Sequence, residues 1–340
     1  MNAHQKEVRQ LGENRMLDRR RLLLAAAAAT AVPRLARADA VSSYPDRPVR
    51  IIVPAPPGGQ SDITIRLVVE GIRESFRQPF VIENRGGASG AIGIEYAARQ
   101  PADGYTLLVS VAGGLVVNPL FDRRISFDAL RDFVPITQFG LSTNCLFVRS
   151  GLPVKSLQEL VQYAKARPGE LTYASIGNGT ISHIYTELFA NTASIDLLHV
   201  PFKGGSAAIQ ELIAGRVDMM IIDFTSGDQP MREGLLRGLA VTGSRRWPLS
   251  PKIPTFQEQQ VPLTLIGWNG LFAPRGTPGP ILKRLSDAAN TMVRDPANFD
   301  RLLKIGLIPT GTTPDEFESI IRSDTEQWRE AVRMSGAKPE

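Results

Sequence analysis

Apolar positions along the chain switch between two periods. Val49-Arg50-Ile51-Ile52-Val53 is a β-branched run bounded by Pro48 and Pro54, which reads as a strand. Residues 62–77 place Ile65, Val68, Val69, Ile72 and Phe76 on one helical face. Phe80–Asn84 is a second strand, a short helix over about 91–99 follows Gly86-Gly87, and Thr106–Ser110 is a third strand after the Asp103-Gly104 turn. This βαβαβ order predicts parallel strands with right-handed crossovers. A second set follows Phe133. Strands are expected over 144–148, 171–174, 196–200, 217–222 and 239–242, and helices over 156–167, 181–191 and 206–214. Ser156 with Glu159, and Thr313 with Glu316, have capping-box spacing. Thr277-Pro278 and Thr313-Pro314 each place Pro at the first helical position behind a Thr cap, and the tail is helical.

Before residue 41 the pattern is different. Arg19-Arg20-Arg21 leads into an apolar stretch, Leu22 to Val32, interrupted by Thr30 alone. Those eleven residues are too few to span a bilayer, which takes about 20, and they fit the core of an export signal. Ala38-Asp39-Ala40 supplies small residues for cleavage after Ala40. The Arg pair followed by Leu22-Leu23 resembles a twin-arginine signal, with Asp18 and Leu24 departing from it, so general secretion stays open. Met16 is an alternative start to Met1.

Charge then takes on a different meaning. The whole chain of 340 residues carries a formal +5. The first forty residues hold eight basic and four acidic side chains, which leaves 31 basic against 30 acidic in the body. A near-neutral body removes the case for a nucleic-acid partner. The length favours two domains. One Cys excludes an intrachain disulfide framework, and Cys145 in an apolar strand reads as a small buried hydrophobe.

Two segments share one design. Val53 to Asp62 and Tyr173 to Thr180 each run from a strand end through a glycine turn into a helix start. Helix starts carry unpaired N–H groups and partial positive charge, and glycine lets an anion approach them, so each is a candidate carboxylate or phosphate cradle. Each also fits an ordinary strand-to-helix turn. Enzyme signatures are missing: the Gly177-x-Gly179 run lacks the third glycine of a dinucleotide site, and there is no P-loop, nucleophile elbow or paired metal-ligand spacing. His183 stands in the first turn after the second cradle, to serve a ligand or to cap locally. His199 reads as structural, Lys203 as a solvated turn residue and Trp268 as core. Asp223 ends a buried strand, to meet a ligand amine or hydroxyl or to cap the next turn.

The motifs together resemble one family. Tyr44-Pro45-x-Arg47-Pro48-Val49-Arg50-x-x-Val53-Pro54, followed by Pro57-Gly58-Gly59-x-x-Asp62, is similar to the opening of the Bug-type receptors, the periplasmic solute-binding components of tripartite tricarboxylate transporters. Glu83-Asn84-Arg85, Gly90-x-Ile92-Gly93, Asp103-Gly104-Tyr105-Thr106-Leu107, Asn118-Pro119, Ser175-x-Gly177-Asn178-Gly179-Thr180-x-x-His183, His199–Gly204, Ala273-Pro274-x-Gly276-Thr277-Pro278 and Thr313-Pro314-x-x-Phe317 continue it in order.

The resemblance implies an α/β chain with the type II periplasmic-binding-protein fold. Two α/β lobes (a Venus flytrap) would close on a ligand cleft. Lobe 1 is expected over 44–140 plus 266–340, and lobe 2 over 141–265. It implies a monomeric extracytoplasmic receptor without enzyme activity, cofactor or metal, which binds a small organic acid or amino-acid-like ligand and hands it to membrane permease subunits. The implied contacts are Gly58, Gly59, Gln60, Ser61, Asp62, Ser110 and Ala112 from lobe 1, with Ile176, Gly177, Thr180, His183 and Asp223 from lobe 2. Pro56-Pro57-Gly58 and the polar stretch Asp223–Pro230 depart from the family pattern. A ligand-presenting sensor and a secreted two-domain α/β enzyme using Asp62, His183 and Asp223 are the alternative readings. No Arg stands in either cradle, which points toward a single carboxylate rather than a tricarboxylate.

Overall fold

A computed structural model describes residues 43–338. The expected export signal, its cleavage after Ala40 and the choice between Met1 and Met16 lie outside them. From Arg47 the chain forms one body. Its strands are β1 (Val49–Val53), β2 (Phe80–Asn84), β3 (Thr106–Val111), β4 (Phe133–Ser142), β5 (Asn144–Arg149), β6 (Thr172–Ser175), β7 (Leu198–Pro201), β8 (Met219–Asp223), β9 (Leu236–Val241), β10 (Gly267–Pro274) and β11 (Ile308–Pro309). Its helices are α1 (Gln60–Ile72), α2 (Ala91–Ala98), α3 (Asn118–Phe121), α4 (Leu157–Lys165), α5 (Ile181–Ala193), α6 (Gly205–Ile213), α7 (Phe224–Arg232), α8 (Gly279–Arg294), α9 (Pro296–Lys304) and α10 (Pro314–Ser335).

The strands form two sheets, ordered β11-β4-β10-β3-β1-β2 and β7-β6-β8-β5-β9. As the βαβαβ pattern predicts, β1 pairs in parallel with β2 and β3, with Val49 opposite Phe80 and Arg50 opposite Thr106. In the second sheet β6 pairs in parallel with β7 and β8, while β5 runs antiparallel to β8 and β9. The alternation did not reveal β10, which lies antiparallel between β3 and β4. Every residue of β10 is buried, so both of its faces are covered and no period of two marks it.

The chain crosses between sheets twice. Thr143 alone separates β4 from β5, and residues 242–266 lead from β9 back to β10. The Asn144 N–H donates to Thr242 Oγ1 at 3.0 Å, and the Thr242 N–H donates to the Asn144 carbonyl at 2.9 Å, so the two crossings are tied together. One apolar cluster runs through Ile52, Leu108 and Phe133, Leu146, Tyr173 and Ile221, and Phe317 and Trp328 of α10. Trp268 is core, as expected, with its indole N–H on Asp324 Oδ2 at 2.8 Å. Burial pushes the Asp324 carboxyl up to about 6, against the pull of that bond.

Helix ends refine the expectations. Thr313 caps α10 in a complete capping box with Glu316. In α8, Pro278 is itself the cap residue, and the Thr277 hydroxyl donates back to the Pro274 carbonyl at 2.8 Å. Ser156 caps α4, but the Glu159 carboxylate accepts from the Lys155 N–H, one residue before the cap. α7 was not foreseen, because Gly227 and Pro230 interrupt its pattern.

Candidate functional site

The first cradle grows from the C-terminal end of β1. Pro54–Gly59 turns the chain into α1, whose cap residue, Gly59, offers no side chain to the free N–H groups of the first turn. Asp62, expected to meet a ligand, is buried and engaged within the chain. Its Oδ2 accepts from the Gly58 N–H and Arg66 Nε, both at 2.9 Å, and its Oδ1 accepts from Arg66 Nη2 and Asn84 Nδ2, both at 3.0 Å. Burial opposes ionisation, yet Arg66, the Gly58 N–H and Asn84 together hold the carboxyl at about 2. Asp62 therefore staples the loop to α1 and to the end of β2, with four donors on two oxygens.

Ser61 is buried at the same helix start, and its hydroxyl donates to Asn269 Oδ1 at 3.5 Å. Asn269 lies in β10, paired with Val111 of β3. Ser110 and Ala112, flanking Val111, are fully buried. Gln60 reaches toward the other sheet: a Cβ on Gly306 would lie 3.1 Å from both Gln60 Nε2 and Thr225 Oγ1 of α7.

The second cradle grows from the C-terminal end of β6. Ser175 Oγ is its hub, hydrogen-bonded to His199 Nε2 at 2.7 Å and to the N–H and carbonyl of Gly177, each at 3.2 Å. The Thr180 hydroxyl also donates to the Gly177 carbonyl, at 2.6 Å, and leaves the α5 start uncapped. His183 Nδ1 accepts the Gly179 N–H at 3.1 Å, so of the two roles expected of it the structure shows the local one. Burial, and secondarily the neighbouring His199, pull its pKa down to about 4. It is therefore a neutral imidazole with its proton on Nε2. Phe121 of α3 meets this loop edge-on, 6.0 Å from the His183 ring. A Cβ on Gly179 would fall 2.2 Å from Phe121 Cδ1, and the glycine has φ +70°, so Gly is required there twice over. Ile176 packs on the core of the second sheet.

Asp223 also turns out to be a cap. It accepts from the Ser226 N–H at 3.0 Å, the Thr225 hydroxyl at 2.8 Å and the Ser226 hydroxyl at 2.7 Å. Lys203 is exposed, as expected of a turn residue. Sequence reasoning missed Asn269, Phe121 and Thr225, which belong to no short motif. Among the described residues no His, Cys, Asp and Glu cluster is arranged to hold a metal.

Two α/β sheets joined by paired crossovers, each with a glycine loop and an uncapped helix start at a C-terminal strand end, have the two-lobe architecture of periplasmic binding proteins. Solved structures of that class superpose closely. "R. palustris Rpa4515 with adipate" matches with a TM-score of 0.82 and 33% identity, covering 87% of this chain and 100% of that one. MatC from Rhodopseudomonas palustris with bound malate matches with a TM-score of 0.77 and 29% identity, covering 85% of this chain and 100% of that one. The model of the tripartite tricarboxylate transporter family receptor (TctC) matches residues 64–336, and the chain belongs to that family. Protein BugT of Bordetella pertussis is 34% identical over 298 residues, 87% of this chain and 91% of the relative. These are solute-binding proteins rather than enzymes, which removes the enzyme alternative.

Proposed function

We propose that the chain is an extracytoplasmic receptor that captures a small aliphatic organic acid by lobe closure and delivers it to the permease subunits of a tripartite tricarboxylate transporter. The observation that carries this is the pair of uncapped helix starts, α1 and α5, one behind a glycine loop in each lobe. Each offers backbone N–H groups and a positive helix end to one carboxylate, and the cation beside the first cradle, Arg66, is already paired with Asp62. One carboxylate per lobe makes a diacid the best-fitting ligand, in keeping with the adipate and malate of the two neighbours. In this reading the loop of Gly58, Gly59, Gln60 and Ser61, with Ser110 and Ala112 beside it, receives one end and the loop of Ile176, Gly177 and Thr180 the other. The free helix-start N–H groups are the donors, since the Gly58 and Gly177 N–H groups stay on Asp62 and Ser175. Asp62, His183 and Asp223 shape the loops rather than touch the ligand.

In this reading the two lobes are hinged at the two tied crossings, which moves the expected boundary from 140/141 to Thr143, because β4 runs to Ser142 in the first sheet. A ligand that bridges the lobes binds the closed state better and so drives closure. The mature receptor is a periplasmic monomer cleaved after Ala40. Thermal-shift screening of mono-, di- and tricarboxylates with the mature chain, followed by small-angle scattering, tests the reading. A diacid should give the largest shift and reduce the radius of gyration. Citrate giving the largest shift, or binding with unchanged dimensions, would contradict it.

A further inference from the structure

The strand β10 carries one polar side chain, Asn269, in an otherwise apolar run of Gly267, Trp268, Gly270, Leu271, Phe272, Ala273 and Pro274. Its position is specific. Asn269 pairs with Val111 where β3 ends, and its Oδ1 faces the Ser61 hydroxyl in the first turn of α1. The residue is 0% exposed, and its Nδ2 has no hydrogen-bond partner. A buried amide donor without an acceptor is unfavourable, and an apolar residue of the same size would satisfy this strand better. The amide oxygen serves the buried Ser61 hydroxyl, but nothing in the fold uses the nitrogen, while the adjoining uncapped helix start offers it a role.

We propose that Asn269 is a specificity-determining residue of the ligand site, whose Nδ2 donates to the carboxylate oxygen received at the start of α1. The inference rests on the receptor reading above and adds a side-chain donor to a cradle otherwise made of backbone N–H groups. The Ser61 hydroxyl donates to the amide oxygen at 3.5 Å, which leaves the nitrogen as the unused donor beside this helix start. A neutral amide in this place favours an ionised carboxylate without a buried cation.

The test uses the mature chain with adipate and malate as probes, reading Kd by calorimetry and Tm without ligand. Asn269→Leu should weaken binding of the better probe by about tenfold or more, the loss of one hydrogen bond to a charged group, while the ligand-free Tm falls little, since only the long Ser61 contact goes with it. Asn269→Asp should weaken it further at pH 7.5 and recover part of the loss at pH 5, where the new carboxyl takes up a proton. Each Kd is divided by that of wild type at the same pH, which removes the ligand's own protonation, and a ligand-free Tm that does not recover in parallel separates the binding effect from a structural one. Wild-type affinity in Asn269→Leu, or a lowered Tm with unchanged Kd, would overturn the assignment. Binding of neither probe nor any other carboxylate by the wild-type chain would overturn the receptor reading, and this inference with it.

Discussion

The imidazole rings of His183 and His199 stack with centroids 4.2 Å apart and planes 10° from parallel. Each ring anchors one point of the second cradle. His199 holds Ser175, which holds Gly177, and His183 holds the Gly179 N–H. Tyr173 continues the stack beyond His199 at 4.7 Å, and its hydroxyl donates to Glu187. Protonating His183 would turn its Nδ1 from acceptor to donor facing an N–H, and would place a cation against the second imidazole.

The pH dependence follows from that contact. The folded-state pKa of His183, about 4, lies below the ordinary 6.5, so the neutral form is the one folding favours. Its contribution is complete above pH 6.5, shrinks as pH falls and is gone below 4, a difference on the order of 3 kcal/mol. Asp324 shifts upward and acts with the opposite sign over part of this range, so the comparison must be with a variant. Urea unfolding of wild type and His183→Gln from pH 7.5 to 4 should show wild type losing more stability. Parallel curves would contradict the role given to His183.

Asp62 should behave as a staple. Asp62→Ala leaves the Gly58 N–H, Asn84 Nδ2 and Arg66 without their shared acceptor, which costs about 2–3 kcal/mol. Ligand affinity should fall as well, because the first cradle loses its shape. A stability change within about 0.5 kcal/mol, the range of an ordinary surface substitution, would remove Asp62 from the loop's support.

Gly179 and Phe121 should be energetically coupled. Gly179→Ala meets the Phe121 ring and a left-handed backbone, and should destabilise by about 1–3 kcal/mol. Phe121→Ala removes the ring and leaves only the backbone part. The double variant should therefore be more stable than the sum of the singles predicts, by about 0.5 kcal/mol or more in a double-mutant cycle. Additive effects would mean that the ring gives way without cost.

Cys145 should be silent in the native state. It is fully buried, and burial pushes its thiol well above the usual range. A thiol reagent should find no reactive group in the folded receptor and one per chain in denaturant. Rapid native labelling would contradict the packing of β5.

Much of the scaffold was legible in the sequence because local chemistry wrote it there. Pro48 and Pro54 bracket β1, Thr313 and Glu316 mark the start of α10, and the two glycine loops announce the cradles. The elements that escaped are those set by distant neighbours. Gly227 sits in α7 because a Cβ there would lie 2.4 Å from the Phe147 ring, so a residue that reads as a helix breaker is a packing requirement. Asp62, His183 and Asp223 drew attention as charged or titratable groups beside loops. The sequence could not show that Arg66 with Asn84, Gly179, and Ser226 with Thr225 already occupy them. Asn269 escaped for the opposite reason: its significance lies in a missing partner, which only the packed strand reveals.

The central claim is capture of a carboxylate at each of two backbone cradles. Calorimetric titration of the mature chain with adipate and with its neutral diamide tests it most directly. The account predicts one site per chain for the diacid and binding weaker by about a hundredfold or more for the diamide, which forfeits a charge-assisted contact at each end. Equal affinity for the two, or binding of the diamide alone, would contradict it.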